Sequence, residues 1–458
     1  MLHRRRQKES NSRKGYSGGQ LNKSGRGISR GIHESKHCRH VLLVGLIIFF
    51  LKKNYDGQWM DQNNHPENED KTIRFGDNAI HKDTNTKMSG WPRPHPHAGA
   101  KFPNGTLGLI IDPSTKFSPP NQTRLLQRER NCKVDSTIDK VSFEVFKRIR
   151  SGVIKAKSQN IKKTNLPKMK TSSTVSLVRD PRIICMVYTH SNAHSRIQAI
   201  FNTWGKECDG FFAASNATDP SIGAMHLSHK GPEAYGNMWQ KIRSMWAYAH
   251  DNFLDDYDYF HISGDDSYVV VANMKAYLQG EQISRLLNGY IDTISRTRYN
   301  QAKQWENLEK GQQRPLLLGF PAAFKGSMYP VGGSGYTLNK EALRLIGVEG
   351  GPLDTILSDY EDPREDVFIT SVLEEIGTFI SDTRDDTGAF RYIRHRPIDV
   401  RMTGFPSRFN IPTTRGLGQF SNETVALHLK DMDKKEKMVE VIYRIHDILS
   451  GECDGNIF

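Results

Sequence analysis

From residue 182 onward, short and continuously apolar runs alternate with longer stretches in which apolar residues recur at helical spacing. The run Ile183-Ile184-Cys185-Met186-Val187-Tyr188 predicts a buried strand, and a helix is expected to follow through Ile197, Ile200 and Trp204. Phe211-Phe212-Ala213-Ala214 predicts a second short strand. Across 237–253, Met238, Ile242, Met245, Trp246 and Ala249 share one helical face, and 257–262 then predicts a strand. Strands alternating with helices imply a parallel sheet covered on both faces. Ligands of such sheets sit at the carboxyl ends of the strands.

Beyond 270 the pattern loosens. Residues 281–313 predict a polar, largely helical insertion, and Leu316-Leu317-Leu318-Gly319-Phe320 a further strand. The Gly-rich Val331-Gly332-Gly333-Ser334-Gly335-Tyr336 leads into a helix over 339–346, another helix begins near Glu365, and an amphipathic one spans 434–449. Upstream, 54–125 is rich in Asp, Asn, His, Pro, Gly and Lys without apolar periodicity, which predicts a flexible stem. Some helical pattern (Ile138, Val141, Phe143, Phe146, Ile149) then marks a transition toward the folded part. The expected organisation is a basic tail at 1–40, a signal-anchor at 41–53, a flexible stem and linker at 54–178, and one folded domain at 179–450.

The net charge of +13 would suggest nucleic acid until it is localised. Residues 1–40 hold eleven Lys/Arg against two acids, so most of the excess lies in the tail and no nucleic-acid partner is expected. Directly after it stands Val41-Leu42-Leu43-Val44-Gly45-Leu46-Ile47-Ile48-Phe49-Phe50-Leu51, closed by Lys52-Lys53. Eleven apolar residues are short of the roughly 20 that a spanning helix wants, and the length also suits a signal-peptide core or a buried helix. Snorkelling flanks and the basic N-terminal side favour an uncleaved anchor with its N-terminus in the cytosol. On that reading the rest faces an oxidising lumen, where Cys185 and Cys208 could pair. Cys132 and Cys453 have no assignable partner. The sequons at Asn104, Asn121, Asn216 and Asn422 suit the same location.

Candidate chemistry starts at Gly264-Asp265-Asp266-Ser267, after the strand 257–262. Two adjacent carboxylates at a strand end suit a hard divalent cation with positions left for phosphate oxygens. The same residues also suit a helix cap or an Asx-turn. In Glu361-Asp362-Pro363-Arg364-Glu365-Asp366-Val367, Asp366 is placed to act as general base for an acceptor hydroxyl with Glu365 beside it; complementing the helix dipole is the bland alternative. Gly332 and Gly333 would let backbone approach a ligand closely, or simply make a turn. His428 sits in an apolar alternation that also suits a core histidine.

In order along 182–445, these segments resemble the beta-1,3-glycosyltransferase family that contains the core-1 beta-1,3-galactosyltransferases and the Fringe proteins. The motifs are Arg182-Ile183-Ile184-Cys185 with Thr203-Trp204 and Cys208, Trp239-Gln240-Lys241, Tyr259-Phe260 with Gly264-Asp265-Asp266-Ser267-Tyr268-Val269, Gly332-Gly333-Ser334-Gly335-Tyr336-Thr337-Leu338 with Lys340-Glu341-Ala342-Leu343, Glu365-Asp366-Val367, and His428. The resemblance is closest to the core-1 enzymes. It implies a GT-A-type fold, a Rossmann-like mixed sheet with helices on both faces, together with a UDP-sugar donor, Mn²⁺ and inversion at the anomeric carbon. Carried over by position, Asp266 and His428 hold the metal and Asp366 is the base. Arg196, Thr203, Trp204, Lys241, Asp265, Gly332 and Gly333 fall in the donor-binding part, and Cys185 pairs with Cys208.

The implied reaction transfers a hexose, galactose in the first instance, to an O-glycan acceptor such as GalNAc on Ser or Thr in a beta-1,3 linkage. The place is a Golgi or ER-Golgi membrane, with single-pass type II topology, a lumenal catalytic domain and a glycoprotein acceptor; a homodimer is left open. A Fringe-like transferase with another donor, or a non-catalytic lumenal chaperone on the same fold, are the alternatives. The chain departs from the core-1 pattern where Gly264 takes the place of the first of three consecutive acids.

Overall fold

In a computed structural model of the chain, the described residues are 140–164, 180–292, 296–324, 327–394, 416–429 and 438–452. The chain divides into two units, Met1–Thr86 and Lys87–Phe458, and every described residue belongs to the second. The basic tail, the expected anchor at 41–53, the sequons at Asn104 and Asn121, Cys132 and Cys453 lie outside the described residues. Among those described, no helix is long and apolar enough to cross a membrane.

The chain order is α1 (Lys140–Thr164), β1 (Ile183–Tyr188), α2 (His194–Asn202), β2 (Gly210–Ser215), β3 (Ala224–His226), α3 (Met238–Phe253), β4 (Tyr259–Gly264), β5 (Ser267–Val269) and α4 (Val271–Leu278). The insertion supplies α5 (Glu281–Leu287) and α6 (Arg296–Ala302). Then come β6 (Leu317–Gly319), β7 (Pro321–Phe324), β8 (Ser327–Pro330), β9 (Tyr336–Asn339), α7 (Lys340–Gly347), α8 (Pro352–Thr355), α9 (Glu365–Glu375), β10 (Tyr392–Ile393), β11 (Ala426–His428) and α10 (Met438–Ser450).

Six strands form one sheet in the order β3-β2-β1-β4-β9-β6. β1, β2, β3 and β4 run parallel, while β9 is antiparallel to β4 and β6. Successive side chains of a strand point to opposite faces. On β1, Ile183, Cys185 and Val187 accordingly join one apolar cluster, and Ile184 and Met186 join another. The first cluster draws on α1, α2, α4 and α10, the second on α3, α7 and α9. Burial on both faces is why β1 reads as an unbroken apolar run rather than an alternation. A disulfide joins Cys185 of β1 to Cys208, with Cα atoms 6.2 Å apart.

Two sequence expectations shift. The strand expected over 257–262 is β4, which runs on to Gly264 and so carries the acidic pair at its end. The folded part also begins earlier than residue 179. Helix α1 buries Val145, Phe146 and Ile149 in the same cluster as Ile442 and Ile445 of α10, so 140–164 belongs to the domain rather than to a flexible linker. Its apolar residues are spaced for a helix, but the basic residues that follow them mask the signal.

The chain visits β1, β2 and β3 in one direction across the sheet and then returns to place β4 on the other side of β1. This reversal makes a crevice at the carboxyl ends of β1 and β4, where open α/β sheets bind ligands. A small second sheet, β10-β11-β5, stands beside it and brings His428 at the end of β11 opposite Ser267.

Phe146 is fully buried. Phe146→Ala should therefore lower the unfolding free energy in a denaturant titration by about 3–5 kcal/mol. A loss below about 1 kcal/mol, within the scatter of surface substitutions, would show that α1 is dispensable to the core.

Candidate active site

β1 delivers Thr189 and β4 delivers Asp265 to the same end of the sheet. The Thr189 hydroxyl donates to Asp265 Oδ2 at 2.7 Å, and Arg196 Nη1, from α2, donates to Oδ1 at 3.0 Å. Both oxygens of Asp265 are therefore engaged by the protein. Burial nevertheless raises its pKa, against the lowering effect of Thr189 and Arg196. Behind this pair lies Lys241 of α3, which is 4% exposed. Its ammonium donates to the Thr189 carbonyl and to Glu233, whose other oxygen faces His229 at 2.8 Å. Lys241 thus fixes the backbone that carries Thr189, and its charge is spent inside the protein.

Asp266 has a different environment. Its backbone carbonyl accepts from Leu429 N at 2.7 Å, which locks it beside β11, and its Oδ2 stands 3.2 Å from His428 Nε2. The other ring nitrogen, Nδ1, lies 3.1 Å from the Arg394 carbonyl. A carbonyl can only accept, so Nδ1 carries the proton. In a neutral ring Nε2 is then an acceptor, and it faces a carboxylate. Two acceptors at this distance need a shared proton or a bound metal ion between them. Burial would raise the Asp266 carboxyl, but the His428 hydrogen bond and charge outweigh it and the net shift is downward.

The Gly-rich segment connects this pair to α9. A Cβ on Gly333 would lie 2.4 Å from His428 Cε1, and one on Gly332 would lie 2.0 Å from Glu365 Oε1, so neither position has room for a side chain. Ser267 Oγ donates to the Gly333 carbonyl at 2.8 Å, and Gly332 N donates to Asp366 Oδ2 at 3.0 Å. Asp366 Oδ1 accepts from Val367 N at 2.9 Å. Asp366 is partly exposed, whereas Glu365 is 4% exposed and its Oε2 accepts from the Tyr336 hydroxyl at 2.7 Å. Burial, then the charge of Asp366, push the Glu365 carboxyl well above its ordinary value, against the lowering effect of the Tyr336 hydrogen bond. Burial also raises Asp366, opposed by its two backbone hydrogen bonds. Of the two acids, Asp366 alone can meet an acceptor.

The structure therefore brings together Arg196, Asp265, Asp266, Gly332, Gly333, Glu365, Asp366 and His428, with Lys241 one layer behind. Thr203 and Trp204 are elsewhere in their environment. Thr203 donates back to the Ala199 carbonyl at 2.7 Å, and Trp204 is fully buried edge-on to Phe211, so both shape the core at the end of α2 and offer nothing to a ligand. Sequence reasoning missed Thr189, Glu233, Tyr336 and Tyr188. The Tyr188 phenol is raised well above its ordinary value by burial and then by Glu365, Asp266, Asp366 and Asp265, which marks it as the centre of the acidic cluster. Its place as the last residue of a strand at the switch point was the available signal.

The comparisons follow this geometry. No family model matches the chain. The glycoprotein-N-acetylgalactosamine 3-beta-galactosyltransferase 1 of Xenopus laevis is 25% identical over 217 residues, which cover 47% of this chain and 51% of the relative. The chain is similar to a beta-1,3-galactosyltransferase. It spans about half the length of the curated relative it matches. The likeness agrees with the ordered motifs, which point to the same family.

Gly264 has a local cause. A Cβ there would lie 2.8 Å from Asp266 Oδ1 and 3.1 Å from the Tyr188 ring. Tyr188 and a third consecutive carboxylate therefore compete for one space. Gly264→Ala should destabilise the fold by about 1–3 kcal/mol, the usual cost of overpacking, measured by denaturant unfolding. An unchanged midpoint would show that Tyr188 moves aside freely.

Proposed function

We propose that this chain is a metal-dependent, inverting glycosyltransferase of GT-A type. It transfers a hexose, galactose in the first instance, from a UDP-sugar to an O-glycan acceptor such as GalNAc on Ser or Thr in a beta-1,3 linkage. The setting proposed is the lumenal side of a Golgi or ER-Golgi membrane, with type II topology. The observation that carries the reading is the facing pair Asp266 and His428 at the switch point, one glycine turn from Asp366. The mixed sheet and the galactosyltransferase relative support the same reading.

The donor set fits Mn²⁺. Neighbouring ligands of an octahedral ion at roughly 2.1 Å are about 3.0 Å apart, close to the 3.2 Å between Asp266 Oδ2 and His428 Nε2. The Arg394 carbonyl fixes the His428 tautomer, as an outer-shell partner of a metal-bound imidazole does. Among the described residues no three His, Cys, Asp or Glu side chains form a metal cage, so these two ligands would leave positions for diphosphate oxygens and water. When bound, the ion supplies a positive charge that stabilises the departing diphosphate.

The chain's own residues account for the remaining steps. Asp366 holds its two oxygens by backbone N–H donors and keeps lone pairs for the proton of the acceptor hydroxyl. As that proton passes to Asp366, the hydroxyl oxygen forms a bond to the anomeric carbon and the bond from that carbon to the phosphate oxygen breaks on the opposite face. The electron pair leaves with UDP, and one displacement gives inversion. Glu365 is buried behind Asp366 and bonded to the Tyr336 hydroxyl, so it positions the start of the helix and does not meet the acceptor. Arg196 and Thr189 hold Asp265 in place on the donor side.

The test is turnover of UDP-galactose, UDP-GlcNAc and UDP-glucose with a GalNAc-bearing peptide, with and without Mn²⁺. Turnover is expected with UDP-galactose and Mn²⁺, lost in Asp266→Ala and lowered by orders of magnitude in Asp366→Asn with donor binding kept. Because a base must be ionised and burial lifts Asp366 above its ordinary value of 3.8, turnover should fall on acidification at a pH above that of an exposed aspartate. Equal, metal-independent rates in the wild type and Asp266→Ala would refute the reading.

A further inference from the structure

Sheet register makes Tyr188 and Gly264 direct partners, because β1 and β4 run parallel with Tyr188 paired to Gly264 at the end of their ladder. Partnered residues of neighbouring strands present their side chains on the same face of the pleat. For Tyr188 that is the face of Ile184 and Met186, where its ring packs on the cluster that α9 helps to build. Glu365 and Asp366 stand in the first turn of α9. The side chain missing at 264 therefore leaves a gap beside the acids, and Tyr188 leans into it. A Cβ at 264 would lie 3.1 Å from both the Tyr188 hydroxyl and its Cε2, and 2.8 Å from Asp266 Oδ1. The phenol and the Asp266 carboxylate thus border one space.

A ring alone would fill that space; the hydroxyl adds a polar group that must find a partner. The acids around it are turned to other donors. Thr189 and Arg196 hold the oxygens of Asp265, Tyr336 donates to Glu365, and Asp366 accepts from Gly332 N and Val367 N. Among the described residues the Tyr188 hydroxyl makes no hydrogen bond to any of these acids or to Asp266, although all four act on it through their charge. Tyr188 is partly exposed, and its hydroxyl is not one of the polar atoms sealed in the core without a partner. A phenol, with an ordinary pKa of about 10, is neutral at physiological pH and carries one O–H to donate. That donor is left for a ligand.

The proposed reaction fixes what reaches this point. The diphosphate belongs with the cation at Asp266 and His428, and the acceptor hydroxyl belongs with Asp366. The hexose in transit lies between them, next to the phenol that feels both carboxylates. A hexose hydroxyl oxygen can accept from Tyr188. A carboxylate in the same space could only accept, so a phenol there reverses the direction of the hydrogen bond and favours a different set of sugar substituents.

We infer that Tyr188 reads the donor sugar: from the space that Gly264 leaves open, its hydroxyl hydrogen-bonds the transferred hexose and helps to decide which hexose is accepted. The inference rests on the reading of the chain as a UDP-sugar transferase, and it deepens that reading by naming a residue that selects the sugar.

The experiment is calorimetric titration of the full chain, in the presence of Mn²⁺, with UDP, UDP-galactose, UDP-GlcNAc and UDP-glucose. Tyr188→Phe removes only the hydroxyl and keeps the packed ring. The variant should bind UDP as the wild type does, because UDP carries no hexose. Its affinity for the best-bound UDP-sugar should fall about fivefold, the loss of one neutral hydrogen bond, and the preference among the three sugars should narrow. A purely structural role for the hydroxyl would weaken UDP and UDP-sugars alike. Equal UDP-sugar affinity in the wild type and Tyr188→Phe, an equal loss for UDP and the UDP-sugars, or no binding of any UDP-sugar would overturn the inference. Turnover separates the two readings. Transfer to an acceptor, with sugar affinity unchanged in Tyr188→Phe, removes Tyr188 and leaves the proposed function; a sugar-selective loss without any transfer keeps the contact and removes the transferase.

Discussion

Two hydrogen-bond acceptors held face to face need a proton or a metal ion between them, and the carboxylate of Asp266 and Nε2 of His428 are held in that relation by backbone. Leu429 N on the Asp266 carbonyl fixes one partner, and the Arg394 carbonyl fixes the ring of the other. The pairing of β5 with β11 sets their distance, with Ser267 opposite His428. What these two side chains bind is thus decided by sheet register more than by their own flexibility, which is the condition for a site that is ready before its ligand arrives.

The rest of the crevice is organised around that pair by hydrogen bonds that run through backbone. Lys241 holds the Thr189 carbonyl, the Thr189 hydroxyl holds Asp265, and Arg196 closes the other oxygen. On the opposite side, Ser267 and Asp366 grip two consecutive glycines, Gly333 and Gly332. Asp265 and Asp266, adjacent in sequence, therefore have separate duties. The first is spent on internal partners. The second is open to a cation. Glu365 and Asp366 divide in the same way, because one is buried against the Tyr336 hydroxyl and the other is partly exposed.

The sheet was legible in the sequence wherever a strand is buried on both faces. The run Ile183–Tyr188 has no other reading, and the helix from Met238 announces itself by spacing. The acidic pair, His428 and Asp366 were legible as candidates because ionisable residues at strand and helix ends stand out, whereas Arg196 came only from the family resemblance. Thr203 and Trp204 were misplaced because a motif gives position along the chain and not the side of the helix that faces the crevice. Tyr188 and Thr189 were overlooked because an apolar run hides the one residue at its end that turns to the site. Helix α1 was read only as a transition ahead of the domain because its buried stripe is followed by basic residues that read as linker. In each case the missing information was which long-range partner covers a face, and that is not a local property of sequence.

The central claim is that the Asp266 and His428 pair holds a divalent cation together with a nucleoside diphosphate. Its most direct test is the anomalous diffraction of crystals soaked in Mn²⁺ and UDP. A manganese peak within bonding distance of both Asp266 Oδ2 and His428 Nε2 is expected, lost in crystals of His428→Ala. A manganese peak at other side chains, or none with UDP bound in the crevice, would contradict it and leave the pair as an internal hydrogen bond.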